Sequence, residues 1–231
     1  LEKRISLGLT VNAYFEVSKQ MDDYSGPYGV QDYYNRRNEW SLTPYNRPNY
    51  LQFTYTYELP IGSNKALLNY NDWRRHMVND WSLTGSGMYA AGVPLALHPA
   101  YNNTGGVVEA LRVNVVPGVS PKVSDPGPSL WFNPAAFDQP ADFTTGDAGR
   151  TDPVLRGPSA HNWDLSVNKR VPLDADRVME FSAAAFNFIN HADWNSPDVT
   201  IGPASAPNVN AGKIIGSHGG RVIQVGLRLS F

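Results

Sequence analysis

The side chains able to do chemistry are scattered through this chain rather than gathered. His191-Ala-Asp193 offers two metal-ligating residue types, with His161 or His218 as a third, but no H-E-x-x-H or comparable spacing fixes a site. Gly85-Ser-Gly-Met-Tyr-Ala90 loosely matches the dinucleotide fingerprint, yet no helical period follows it and Pro94 comes next, so it reads as small residues in a strand. A G-x-S-x-G elbow is absent, and Ser, His and Asp are too dispersed to nominate a triad. With no cysteine, disulfides, thiolate metal sites and thiol nucleophiles are excluded. The expectation is a protein with no catalytic, cofactor-binding or metal-ligating set, and not an enzyme.

Recognition chemistry is better represented. The segment DDYSGPYGVQDYYNRRNEWSLTPYNRPN sets rings among charges, and Tyr28, Tyr33, Tyr34, Arg36, Arg37 and Trp40 form a candidate ligand-contact loop. Rings beside guanidinium groups suit sugar rings or planar ligands, as adaptable binding loops do. The same side chains also suit packing among neighbouring loops. Farther on, SLWFNPAAFDQP holds Trp131, Phe132 and Phe137 between prolines and reads as a self-packed loop core.

The elements that must carry these loops are strands. Alternating apolar and polar residues mark about six of them, near residues 4–18, 50–59, 81–91, 162–171, 178–189 and 221–231. Each has roughly the 9–11 residues that cross a bilayer when tilted. The apolar face from Ile5 to Val17 runs for seven alternate positions, longer than the usual strand of a soluble sandwich. The opposite face, including Asn12, Tyr14, Glu16, Gln52, Thr54 and Glu58, suits a watery lumen. Long polar stretches at 19–49, 92–161 and 190–220 alternate with shorter links at 60–80 and 172–177, as outer-membrane barrels alternate outer loops with periplasmic turns. Within the middle link, ALLNYNDWRRHMV has room for a helical turn or two. No apolar stretch approaches the roughly 20 residues of a membrane helix. A net charge of -2 argues against a nucleic-acid partner. A soluble β-sandwich or jelly roll also alternates, so a secreted β-rich binding or adhesion module stands as the alternative, with a barrel-bound hydrolase third.

In order along the chain, LEKRISLGLTVNAYFEVSKQMDD, NRPNYLQFTYTYELPIG, DWSLTGSGMYAAGVPL, WFNPAAFDQP, LRGPSAHNWDLSVNKRVPL, FNFINHADWNSP and RVIQVGLRLSF resemble the C-terminal barrel of TonB-dependent receptors of the Oar-like type, which carry a carboxypeptidase regulatory-like domain and abound in Acidobacteria. The resemblance spans nearly the whole chain. It implies that residues 1–231 are the C-terminal portion of a 22-stranded all-β, antiparallel transmembrane barrel in the bacterial outer membrane, with the plug, regulatory domain and TonB box upstream. The implied activity is uptake of a ligand such as a siderophore or oligosaccharide. Implied partners are outer-membrane lipid, the TonB energy-transducing complex and the barrel assembly machinery. The ending then gains a role: Ile223, Val225, Leu227, Leu229 and Phe231 match the terminal signal that the assembly machinery recognises, and an apolar strand edge is chemically suited to β-augmentation.

Overall fold

The computed structural model describes residues 2–5, 8–24, 29–106 and 110–231. Its main element is a 7-stranded antiparallel sheet. The strands are β1 (Glu2–Ile5), β2 (Leu9–Val17), β3 (Asn49–Glu58), β4 (Trp81–Ala90), β5 (Ala160–Pro172), β6 (Val178–Phe186) and β7 (Val222–Ser230). They pair in chain order as a meander, with β1 and β7 at the two edges and, among the described residues, no ladder joining them. The link 59–80 contains one helical turn, Arg75–Val78.

One expectation fails. The strand anticipated over residues 4–18 is two strands, because β1 pairs antiparallel with β2 and Ile5 stands opposite Leu9. The chain reverses at Gly8, whose φ of 82° is open to glycine and strained for other residues. The carbonyl of Gly8 accepts the Glu58 N–H at 2.9 Å, and a Cβ on Gly8 would lie 3.0 Å from that of Glu58. The spacing from Ile5 to Leu9 keeps the alternation in phase across the reversal, which is why the sequence hides it. The apolar face of β2 therefore begins at Leu9.

From β2 to β7 the register never slips. Val11 stands opposite Tyr55, Tyr55 opposite Gly85 and Gly85 opposite Leu165. Leu165 in turn stands opposite Ala185, and Ala185 opposite Ile223. Directly opposed residues share a face, and a slip of one would exchange the faces. One face thus collects Leu9, Phe53, Leu83, Val167, Ala183 and Val225, while the other collects Thr10, Thr54, Thr84, Ser166, Ser182 and Gln224. No second sheet covers the apolar face among the described residues: Phe15 is 63% exposed and Leu227 70%.

Two glycines shape that face. A Cβ on Gly87 would come 2.5 Å from the Phe53 ring and 2.9 Å from Trp163, and one on Gly85 would come 2.7 Å from the Tyr55 ring. The missing side chains let Phe53 and Trp163 meet over β4 with ring centroids 5.4 Å apart. GSGMYA is strand sequence whose glycines make room for neighbouring rings.

The buried apolar core lies outside the sheet. Leu95, Leu97, Val113, Phe132, Phe137 and Leu155 from 91–159 pack with Ile201 and Ala211 from 187–221. These loops and 18–48 leave the same end of the sheet, since each follows an even-numbered strand of the meander. The loops therefore form a folded cap with its own hydrophobic interior.

Candidate ligand-facing surface

The polar face is a lattice of short side chains that satisfy one another. Ser86 Oγ donates to Asp164 Oδ2 at 3.1 Å, and the Asn187 N–H donates to Asp164 Oδ1 at 3.0 Å. Asn168 Nδ2 donates to Thr84 Oγ1 at 3.1 Å. The six residues anticipated for a lumen share this face: Asn12 stands opposite Thr54, Tyr14 opposite Gln52, and Glu16 lies in the same row of alternate positions. Glu58, opposite Ser82, closes the far end, with Lys65 Nζ at 3.8 Å.

Toward the cap, Tyr14 hydroxyl donates to Glu16 Oε2 at 2.7 Å and Tyr50 hydroxyl to Gln52 Oε1 at 3.1 Å. The Tyr14 and Tyr50 rings meet edge to face at 6.2 Å. Tyr45 and Arg47 join them from the first loop and line an open cavity of about 240 Å³.

Arginines of the second long loop hold the cap to the first. Arg112 forms a buried ion pair with Glu39 and donates to the Asn38 carbonyl at 2.9 Å. Burial pulls the Arg112 pKa below the ordinary arginine value, against Glu39, which raises it; the guanidinium stays charged at neutral pH. Arg150 pairs with Asp22 and donates to the Glu39 carbonyl at 3.2 Å. Arg156 donates to the Asn46 carbonyl at 3.1 Å and to Asn46 Oδ1 at 2.8 Å, and burial lowers its pKa too. The third loop is tied in by Trp131 N–H to the Gly212 carbonyl at 2.6 Å and Ile214 N–H to the Pro128 carbonyl at 2.8 Å.

Within the candidate ligand-contact loop the structure separates residues adjacent in sequence. Arg36–Glu39 is a single 3-10 turn. Arg36 points outward to Asp23 at 2.9 Å, and its hydrogen bond holds the Asp23 carboxyl below the usual carboxylate range. Glu39 points inward and is completely buried. Tyr33, Tyr34 and Trp40 are exposed, with Tyr34 fully in solvent, and Arg37 is exposed beside them. Tyr28 lies outside the described residues. Cap packing is done by Val30, Glu39 and Asn46, none of which stood out in the sequence. Glu39 meets Arg112 73 residues away and Asn46 meets Arg156 110 residues away, so no local pattern could expose them.

The expected loop core around Trp131 does form. Phe132 is fully buried and meets Phe137 edge to face at 6.2 Å, but the cluster also draws on the third loop. Trp131 is half-buried and donates Nε1 to the Arg156 carbonyl at 2.6 Å. Two of the histidines considered as metal ligands meet rings instead: His161 lies tilted against Tyr89, at 4.9 Å, and edge to face with His191, at 4.8 Å. Asp193 and His218 stand opposite each other in a separate two-stranded ladder. Among the described residues, no group of three or more His, Cys, Asp or Glu is placed to hold a metal ion. The closing residues Ile223, Val225, Leu227 and Leu229 lie together on the apolar face of edge strand β7, and Phe231 follows the strand with its side chain in the open.

Residues 1–224 match the family model of an outer membrane beta barrel domain. No curated protein and no solved structure matches the chain.

Proposed function

Because the chain belongs to the outer membrane beta barrel domain family and is therefore an outer-membrane protein, we propose that it serves as the barrel portion of a TonB-dependent transporter of the Oar-like type. The observation that carries this reading is the unbroken register from β2 to β7, which gives lipid an apolar face and leaves a continuous polar face beneath a folded cap. Lipid cannot satisfy the free backbone groups of the edge strands β1 and β7, so in the membrane further strands pair with them and close a larger barrel. The long loops then face outward and the links 59–80 and 173–177 face the periplasm.

On this reading, ligand is captured at the cap, where Tyr34 and Trp40 are exposed, and passes along the polar wall when the inner-membrane complex moves a plug. The role is transport rather than catalysis. The apolar edge of β7 serves as the recognition strand for barrel assembly. The test is accumulation of labelled neutral oligosaccharides and of iron-loaded hydroxamate siderophores in cells expressing the protein, with and without TonB. Accumulation that requires both the protein and TonB supports the reading. Accumulation independent of TonB, or no greater than in cells lacking the protein, refutes it.

A further inference from the structure

We propose that the cavity between β2, β3 and the first long loop binds one ring of a neutral saccharide; this rests on the transport reading and assigns a ligand class to one station on its polar wall. The cavity is lined by Tyr14, Glu16, Gln20, Tyr45, Arg47 and Tyr50. Three features select the ligand class.

The first is size. At about 240 Å³ the open cavity falls below the range of roughly 300–1,000 Å³ that takes a drug-sized molecule, which suits the seating of one ring. The second is the wall. Tyr14 and Tyr50 stand edge to face with 61° between their planes, and both line the cavity. An aromatic face suits the C–H side of a sugar ring, and the tyrosine hydroxyls suit its polar rim. Tyr14 is 55% exposed, so its ring is open to a ligand.

The third is charge. Glu16 and Arg47 oppose each other in sign, which leaves the lining near neutral and gives an anion no net attraction. Arg47 is held in place by donating Nη1 to the Ala91 carbonyl at 2.8 Å, and Ser18 Oγ fixes the Arg47 carbonyl at 2.9 Å. Glu16 is oriented by the Tyr14 hydroxyl at 2.7 Å. The carboxylate, guanidinium and Gln20 amide thus offer acceptors and donors together, as a polyhydroxyl ring requires. The site opens onto the polar face directly under the cap, where a chain of sugar units descending the wall would set one unit.

The experiment titrates cellobiose, maltose and xylobiose by calorimetry into the full-length protein purified from outer membranes, with digalacturonate and an iron-loaded hydroxamate as comparators. At least one neutral disaccharide binds, more tightly than either comparator. Tyr14→Ala and Tyr50→Ala each weaken it about tenfold or more, as expected for aromatic anchors, whereas Tyr14→Phe, which keeps the ring and loses only the hydroxyl that orients Glu16, weakens it less than Tyr14→Ala. Heat-modifiable migration of each variant verifies that the barrel is intact. No binding of any neutral disaccharide, or binding that Tyr14→Ala and Tyr50→Ala leave unchanged, overturns the assignment. TonB-dependent uptake that persists in those variants shows that this site has failed while the transport reading stands.

Discussion

Glu39→Gln removes one charge from the cap and almost nothing else. The amide keeps the size of the carboxylate, and its oxygen can still accept the Asp32 N–H, now 3.1 Å from Glu39 Oε1. What it loses is the countercharge to Arg112, whose side chain is 5% exposed against 0% for Glu39. At that depth, solvent screening does not reduce the interaction as it does for surface pairs. Breaking a buried pair by removing one partner costs about 3–5 kcal/mol, chiefly from the uncompensated charge left behind. Arg112 Nε already lacks a hydrogen-bond partner, and the bonds of Nη1 to the Asn38 and Ala148 carbonyls supply no countercharge.

The cost falls on cap opening, not on the strand ladders, so global unfolding is the wrong assay. Native-state hydrogen exchange at the Ala148 N–H, bonded to the Val113 carbonyl at 3.0 Å, and the Val116 N–H, bonded to the Ala136 carbonyl at 2.8 Å, reads it directly. Both amides are expected to exchange about a hundredfold to a few thousandfold faster in Glu39→Gln, while amides in the centre of β3 and β4 do not change. Glu39→Gln combined with Arg112→Met is expected to recover most of the protection, because neither charge then remains buried. Exchange at both cap amides within threefold of the unaltered protein refutes the claim that this pair holds the loops together.

The facial assignment predicts opposite tolerance at adjacent residues. Val167→Arg puts a cation on the apolar face and costs about 2–4 kcal/mol in reversible urea unfolding in phospholipid vesicles, whereas Ser166→Arg, on the polar face, stays within about 1 kcal/mol. Gly92→Ala would drive a Cβ to 1.8 Å from the Gly157 carbonyl, so it is expected to destabilise the cap by at least about 1–3 kcal/mol, seen as faster exchange at the Gly157 N–H. At Asp198, burial raises the pKa, but hydrogen bonds from Thr200 and Asn208 outweigh it and hold the carboxyl below its ordinary value. A depressed folded pKa contributes stability that is present above about pH 4 and lost as pH falls through the folded value. Exchange at the Thr200 N–H, corrected for its intrinsic rate, therefore accelerates on acidification, and Asp198→Asn flattens that dependence.

Much of this architecture was legible because it is local. Alternation at a period of two is a property of neighbouring residues, and it located β3 to β7 and assigned Asn12, Gln52 and Glu58 to one face, where the register places them. The polar stretches between strands were equally plain, as was the apolar content around Phe132. The turn at Gly8 was not, because a reversal that preserves the phase of an alternation leaves no mark on it.

The cap was invisible for a different reason. Glu39 sits in RRNEW, a segment whose rings and charges all look alike as candidates for solvent or ligand, and nothing in it marks the glutamate as the buried one. That distinction arises when residues 91–159 fold back and place Arg112 against it, because a buried carboxylate is tolerable only with a countercharge at hand. The cavity beside Tyr14 has the same origin: β2, β3 and the first loop each supply part of its wall, and their convergence is set by strand pairing and loop packing. Sequence alone determined that this chain builds amphipathic strands separated by long loops, since side-chain alternation needs no distant partner. Which loop residues lie inside, which remain open to a ligand and where the wall becomes a pocket depended on contacts across tens of residues, and those exist only in the folded chain.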